Sequence, residues 1–329
     1  MVQRPQNIGQ DAGDLCDRPR TGVSATGSVE QALALKPDCL AYFGAGVNDP
    51  QAGLENVARF LEAGIDVVTT SFSSLVHPEH APAPLRSRLE EACRKGNASF
   101  FATGVEPGFA SDILPISVLS AADRVDEVRI LEIADYSTNP ADYGQRPNFG
   151  FGMPMDYEPV MFAGELLTGV WGPVVRGMAD AIGAKLDGLR QWHEFGATSC
   201  DLETAFGRID AGTRSAFRFA VEGLLGGRPI VALEHVSFLS RETPTHWPRS
   251  ALGKHAVYRV EITGRPSSTL ELGYDFIEAE EHALIATAMR AINAIPVVVA
   301  APPGPLGPHQ VPARFSGHVR TRPASSGNQ

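Results

Sequence analysis

The feature that most restricts this chain is an alternation of helix-period and strand-period segments between residues 28 and 115, with no G-x-G-x-x-G turn anywhere in 329 residues. Ser28 caps the short helical stretch SVEQALAL, Pro37 closes it, and the apolar run DCLAYFG follows at 38–44. Asn48, Asp49 and Pro50 open a second helix to about Gly64, with Leu54, Val57, Ala58 and Leu61 on one face, and IDVVTT at 65–70 reads as a buried strand. LRSRLEEACRKG at 85–96 and ASFFATG at 98–104 repeat the unit. Short links between such units predict parallel strands joined by right-handed crossovers. Ligands on these sheets sit beyond the carboxyl ends of the strands, so the loops beginning at Gly44, Thr70 and Gly104 share one rim. The predicted fold class is α/β: an incomplete, Rossmann-type doubly wound parallel sheet followed by an α+β second domain. Without its glycine-rich phosphate turn, the chain reads as an N-terminally truncated copy that starts in mid-fold.

The pattern changes after Pro115. Strand-like segments run over 128–137, 189–195, 217–225, 228–239, 255–264 and 267–276, and Gly226-Gly227 turns the third into the fourth. One helix is expected from about Met161 to Leu186, interrupted near Gly172-Pro173, and another over 282–295, ended by Pro296. The expected organisation is a dinucleotide-binding domain over 1–115 completed by the helix at 279–300, an α+β substrate and dimerisation domain over 116–278, and a disordered tail over 310–329.

Charge and cysteine usage narrow the class. With 28 basic against 38 acidic side chains and a net charge of −10, the chain has no electrostatic footprint for nucleic acid or anionic lipid. Cys16, Cys39, Cys93 and Cys200 show no metal-like spacing and read as reduced thiols of a cytoplasmic protein. No apolar leader opens the sequence, and no later run reads as long enough to cross a bilayer.

The most pointed local signal is TGVEPGFASDILP at 103–115. It places Glu106 at a strand exit, supplies Gly104 and Gly108 for tight backbone geometry, and sets Asp112 near the start of a helix. Glu106 then faces an interdomain cleft, or else caps the turn. The loop SFSSLVHP at 71–78 offers Ser73, Ser74 and His77 for polar contact or proton transfer, with helix capping and a loop histidine as the plainer roles. Gly44, Ala45 and Gly46 let backbone N–H groups approach a phosphate, though glycine often serves only to bend a turn. On the second domain Glu132, Asp135, Tyr136 and Asn139 cluster at a strand end, where alternation puts Glu132 and Asp135 on opposite faces. His193 and His235 belong to no linear metal motif, so no metal site is expected.

These stretches resemble the dihydrodipicolinate-reductase-like oxidoreductases that include 2,4-diaminopentanoate dehydrogenase and the native NAD(P)H-dependent amine dehydrogenases. The matching segments are DAGDLC (11–16), DVVTTSFSSLVHP (66–78), TGVEPGFASDILP (103–115), WGPVVRGMADAIG (171–183) and ATAMRAINAIP (286–296). The resemblance implies NAD or NADP as cofactor, a small-molecule amine or carbonyl substrate, hydride transfer through an imine, and a homodimer. It also implies cofactor contacts from Gly44, Ala45, Gly46, Thr70, Ser71, Gly104 and Pro107, and a catalytic group drawn from Glu106, Ser73, Ser74 and Asp135. Amine-forming relatives carry a glutamate in the loop that here reads Phe72-Ser73-Ser74, so Glu106 becomes the carboxylate expected to replace it. The alternative is a noncatalytic remnant or binding module that has lost its phosphate site. Genuine dihydrodipicolinate reductases carry a paired-histidine and lysine motif that has no match here.

Overall fold

The computed structural model describes residues 1–315 other than 3, 45–49, 141 and 275–278, together with residue 317. The first helix, α1 (Val29–Ala34), starts where Ser28 Oγ accepts the Gln31 N–H, and β1 (Cys39–Tyr42) follows. Helix α2 (Pro50–Glu62) buries Leu54, Val57, Ala58 and Leu61 completely, as their spacing dictates. Each large apolar side chain buried this way contributes about 1.5–3 kcal/mol. Strand β2 (Asp66–Thr69), helix α3 (Ala83–Gly96) and strand β3 (Ser99–Ala102) complete the repeat, and Asn97 ends α3 in the left-handed region. Strands β1, β2 and β3 are parallel and adjacent in chain order.

Helix α4 (Ile113–Leu119) leads into the second unit, with β4 (Arg124–Asp135), α5 (Asp142–Phe149), α6 (Leu166–Ala181) and β5 (Gly188–Ala197). A small hairpin of β6 (Leu202–Thr204) and β7 (Gly207–Ile209) precedes β8 (Arg214–Leu225), β9 (Arg228–Phe238), β10 (Ala256–Arg265) and β11 (Ser268–Tyr274). The chain then returns to the first sheet through α7 (Ala279–Val299), which packs on it, and β12 (Gly304–Pro305), which pairs with β3. The larger sheet runs β11-β10-β4-β9-β8-β5, and α6 covers one of its faces. It is mixed rather than purely a stack of hairpins, because β4 and β9 are parallel.

Several sequence expectations are corrected. Helix α6 runs unbroken through Gly172 and Pro173, and α7 continues past Pro296 to Val299. In α6 the buried Val174, Val175, Met178 and Ala179 hold the register, and in α7 Ala291, Ala294 and Val298 do so against the sheet. That packing outweighs one lost backbone hydrogen bond at each proline. The stretch His282–Val299 is also long and apolar enough to span a bilayer by length and composition, contrary to expectation, although its inner face is docked on β2 and β3. Val311 is fully buried and its carbonyl accepts the Arg290 Nη2–H, so order extends into the segment expected to be a tail. Residues 318–329 lie outside the described residues.

Candidate active site

Glu106 leaves β3 on a turn that its glycines make possible. Gly108 has φ +142°, and a Cβ there would stand 2.9 Å from Thr103 Oγ1. The Phe109 and Ala110 N–H groups donate back to the carbonyls of Gly104 and Val105, which closes the turn. The Glu106 carboxylate is thereby carried to the second unit and buried, with only 2% of its side chain exposed.

Three residues from separate elements meet it there. Trp171 Nε1 of α6 donates to Glu106 Oε2 at 3.2 Å. His235 Nε2 of β9 lies 2.8 Å from the same oxygen, at ion-pair distance, and its Nδ1 lies 3.4 Å from Glu132 Oε1 of β4. The Tyr136 hydroxyl donates to Glu132 Oε1 at 3.3 Å. Phe219 stacks on the His235 ring at 4.6 Å and 13°, fixing its plane. Burial opposes protonation of His235, but the charges of Glu106 and Glu132 outweigh it and raise its pKa to about 10. The neighbouring Tyr258 phenol is pushed well above its ordinary value, by burial first and then by Glu132. It stays protonated.

Two buried atoms of the cluster make no hydrogen bond: Glu106 Oε1, and His235 Nε2, which meets Glu106 Oε2 at ion-pair distance only. Glu106 lines a cavity of about 210 Å³ walled by Glu132, Tyr136, Tyr258, Thr287 and the apolar side chains of Val105 and Leu284. No lysine or arginine lines it among the described residues. A second, smaller cavity adjoins it through Glu106 and Thr287, and is lined by Thr70, Ser73, Gly104 and Pro107. At Gly104 a Cβ would lie 3.1 Å from the Pro107 carbonyl and 3.4 Å from Thr287 Cγ2, so a side chain there would narrow this cradle.

The sequence candidates separate accordingly. Glu106, Thr70, Ser73, Gly104 and Pro107 converge on the two cavities. Ser74 shares the turn Ser73–Leu75 but borders neither cavity. Ser71 ties two loops together, its hydroxyl donating to the Gly44 carbonyl at 2.6 Å. Asp135 lines the larger cavity together with Glu132, although alternation along the strand was expected to set them on opposite faces, and its Oδ2 lies 3.0 Å from His255 Nδ1. Ala45 and Gly46 lie outside the described residues. His193 packs between Phe162 and Phe195, and burial lowers its pKa. His77 joins Asp112 away from both cavities.

Trp171, Tyr258 and Thr287 carry no local sequence signal, and the meeting of Glu132 with His235 joins positions about a hundred residues apart. Ligand atoms of Glu106, Glu132 and His235 lie within 4.8 Å of one another, a spacing that suits a divalent cation although no linear metal motif announces it. The proton that His235 holds up to about pH 10 competes for that position.

Comparison with known proteins gives the family. The family model for the 2,4-diaminopentanoate dehydrogenase C-terminal domain matches residues 109–320. An amine dehydrogenase of Streptomyces virginiae is 34% identical over 320 residues, covering 95% of this chain and 88% of that protein. The chain belongs to the amine dehydrogenase family. It is accordingly an NAD(P)-dependent oxidoreductase that works by hydride transfer. The structure of an amine dehydrogenase from Mycobacterium smegmatis superimposes with a TM-score of 0.73 at 19% identity, over 96% of this chain and 89% of that one, and shows that the two share a fold.

Proposed function

We propose that this amine dehydrogenase interconverts a small primary amine and its aldehyde or ketone, with Glu106 as the proton-exchanging group. The observation that carries the reading is a buried carboxylate on the rim of a parallel sheet, one oxygen of it unpartnered, in the wall of a cavity that no lysine or arginine lines among the described residues. An ammonium group is attracted there, and a substrate carboxylate is not.

Thr70, Ser73, Gly104 and Pro107, which line the smaller cavity with Glu106, are the residues that would hold the nicotinamide end of NAD(P). The cofactor supplies the acceptor for the hydride lost from the amine-bearing carbon. Glu106 Oε1 takes a proton from the substrate ammonium, so that the nitrogen lone pair forms the C=N bond as the C–H bond breaks. Water then adds, ammonia leaves, and the carbonyl product remains. Tyr258 stays a neutral donor because burial suppresses its ionisation, and Val105 and Leu284 flank the rest of the substrate. We further propose a cytoplasmic homodimer, supported by the family resemblance and by four cysteines that are all free thiols.

The test is reductive amination of small ketones and aldehydes with ammonium and NADH or NADPH. Turnover with simple carbonyls and poor turnover with the corresponding α-keto acids is expected. Preference for the keto acids would overturn the assignment of the cavity.

A further inference from the structure

The contacts around Glu106 divide its two oxygens between different tasks, and the division is imposed from the other unit of the molecule. Oε2 accepts the Trp171 Nε1–H and has His235 Nε2 at 2.8 Å as an ion-pair contact rather than a hydrogen bond, while Oε1 receives nothing. Glu106 belongs to the turn after β3, on the parallel-sheet unit. Trp171, His235 and Glu132 all belong to the second unit, on α6, β9 and β4.

We propose that His235, backed by Glu132, is a positioning residue for Glu106: it holds Oε2 and thereby presents Oε1 to the substrate nitrogen, so that the base works only when the two units are docked. The proposal rests on Glu106 being the base, and adds the device that aims it.

Three features of the geometry support this. The His235 ring cannot rotate freely, because Phe219 stacks on one side and Trp171 packs edge-on at 5.1 Å. Glu132 faces Nδ1, so the cation is bracketed by carboxylates at both ring nitrogens, and Tyr136 in turn holds Glu132. A free carboxylate spins about its last torsion, which is broad and roughly two-fold. Fixing one oxygen removes that freedom before substrate arrives, and preorganisation of this kind appears in the rate rather than in cofactor binding. The ionisable side chains that act on His235 are Glu106, from the turn after β3, and Glu132, from β4.

The experiment compares His235→Gln and His235→Phe with wild type and with Glu106→Gln, after thermal melts and NADH binding have shown that each variant is folded. His235→Phe keeps the stack on Phe219 but cannot hold Oε2. The expected result is a fall of about 10²-fold in kcat/KM for the amine with His235→Phe, a smaller fall with His235→Gln, and an unchanged KM for the cofactor. The loss falls on kcat rather than on the KM for the amine, a split that a merely structural role does not produce. A wild-type rate in His235→Phe, together with a dead Glu106→Gln, overturns the positioning role alone. An active Glu106→Gln overturns the reading beneath it. Loss of wild-type activity on chelation, restored by zinc, makes the three side chains metal ligands and also overturns the proposal.

Discussion

His77 Nε2 lies 2.7 Å from Asp112 Oδ1, joining the loop after β2 to the head of α4, and both side chains are buried. The imidazole ring also fills the notch left by Gly177 on α6, so the ring that this ion pair holds in place packs the parallel-sheet unit against the main helix of the second unit. A histidine placed in a loop before proline thus acts as a structural bolt, and its position says nothing of proton transfer to substrate.

The first prediction concerns pH. Burial works against the charged form of His77, but Asp112 and then Glu79 overcome it and raise the pKa from 6.5 to about 9. The stabilisation is fully present below about pH 6.5 and is lost as pH rises through about 9. The melting advantage of wild type over His77→Gln therefore narrows across that window, by roughly 2–3 kcal/mol. A difference that stays constant between about pH 6 and pH 10 would show that the pair is uncharged.

Substituting Gly177 tests the same junction sterically. A Cβ at this position would stand 2.0 Å from His77 Nδ1. Because the ring is held by Asp112, it cannot simply move aside, and Gly177→Ala is expected to cost roughly 1–3 kcal/mol in denaturant unfolding. Unchanged stability would mean that the helix and loop separate easily.

Glu106→Gln preserves shape and removes the charge. Amine oxidation should fall by about 10²–10⁴-fold, with the melting temperature close to wild type. Steady-state rates beside a thermal melt decide this, and an unaltered rate removes Glu106 from the chemistry.

Arg214 presents a separate test of the second unit. Its side chain is fully buried, the guanidinium lies 3.6 Å from the centre of the Phe195 ring, and Nη2 donates to the carbonyls of Met155 and Tyr157. A lysine cannot reproduce a planar fork that stacks and donates twice. Arg214→Lys should lose roughly 2–3 kcal/mol, read from urea unfolding. A wild-type midpoint would show that charge alone suffices there.

The parallel sheet was legible because each of its layers is written locally. Leu54, Val57, Ala58 and Leu61 define a helix face, the runs 65–70 and 98–104 define strands, and chain order sets their adjacency. Glu106 was legible for the same reason, since a carboxylate at a strand exit between glycines has a position fixed by its neighbours. The interruption expected near Gly172-Pro173 and the helix end expected at Pro296 are both absent because local propensity loses to packing against the larger sheet and the smaller one. Metal-like convergence of Glu106, Glu132 and His235 was missed because a search for linear motifs sees only ligands that share one element.

By itself the amino-acid sequence determined the α/β architecture and the turn that sets Glu106 at the exit of β3, because period, capping and turn chemistry act over a few residues. Only the tertiary structure decided that one oxygen of Glu106 is held and the other, though buried, is left unpartnered. That outcome needs β4, α6 and β9 to bring Glu132, Trp171 and His235 to the turn after β3. Long-range packing is what moves charged groups out of water and into each other's reach, and no short stretch of sequence encodes it.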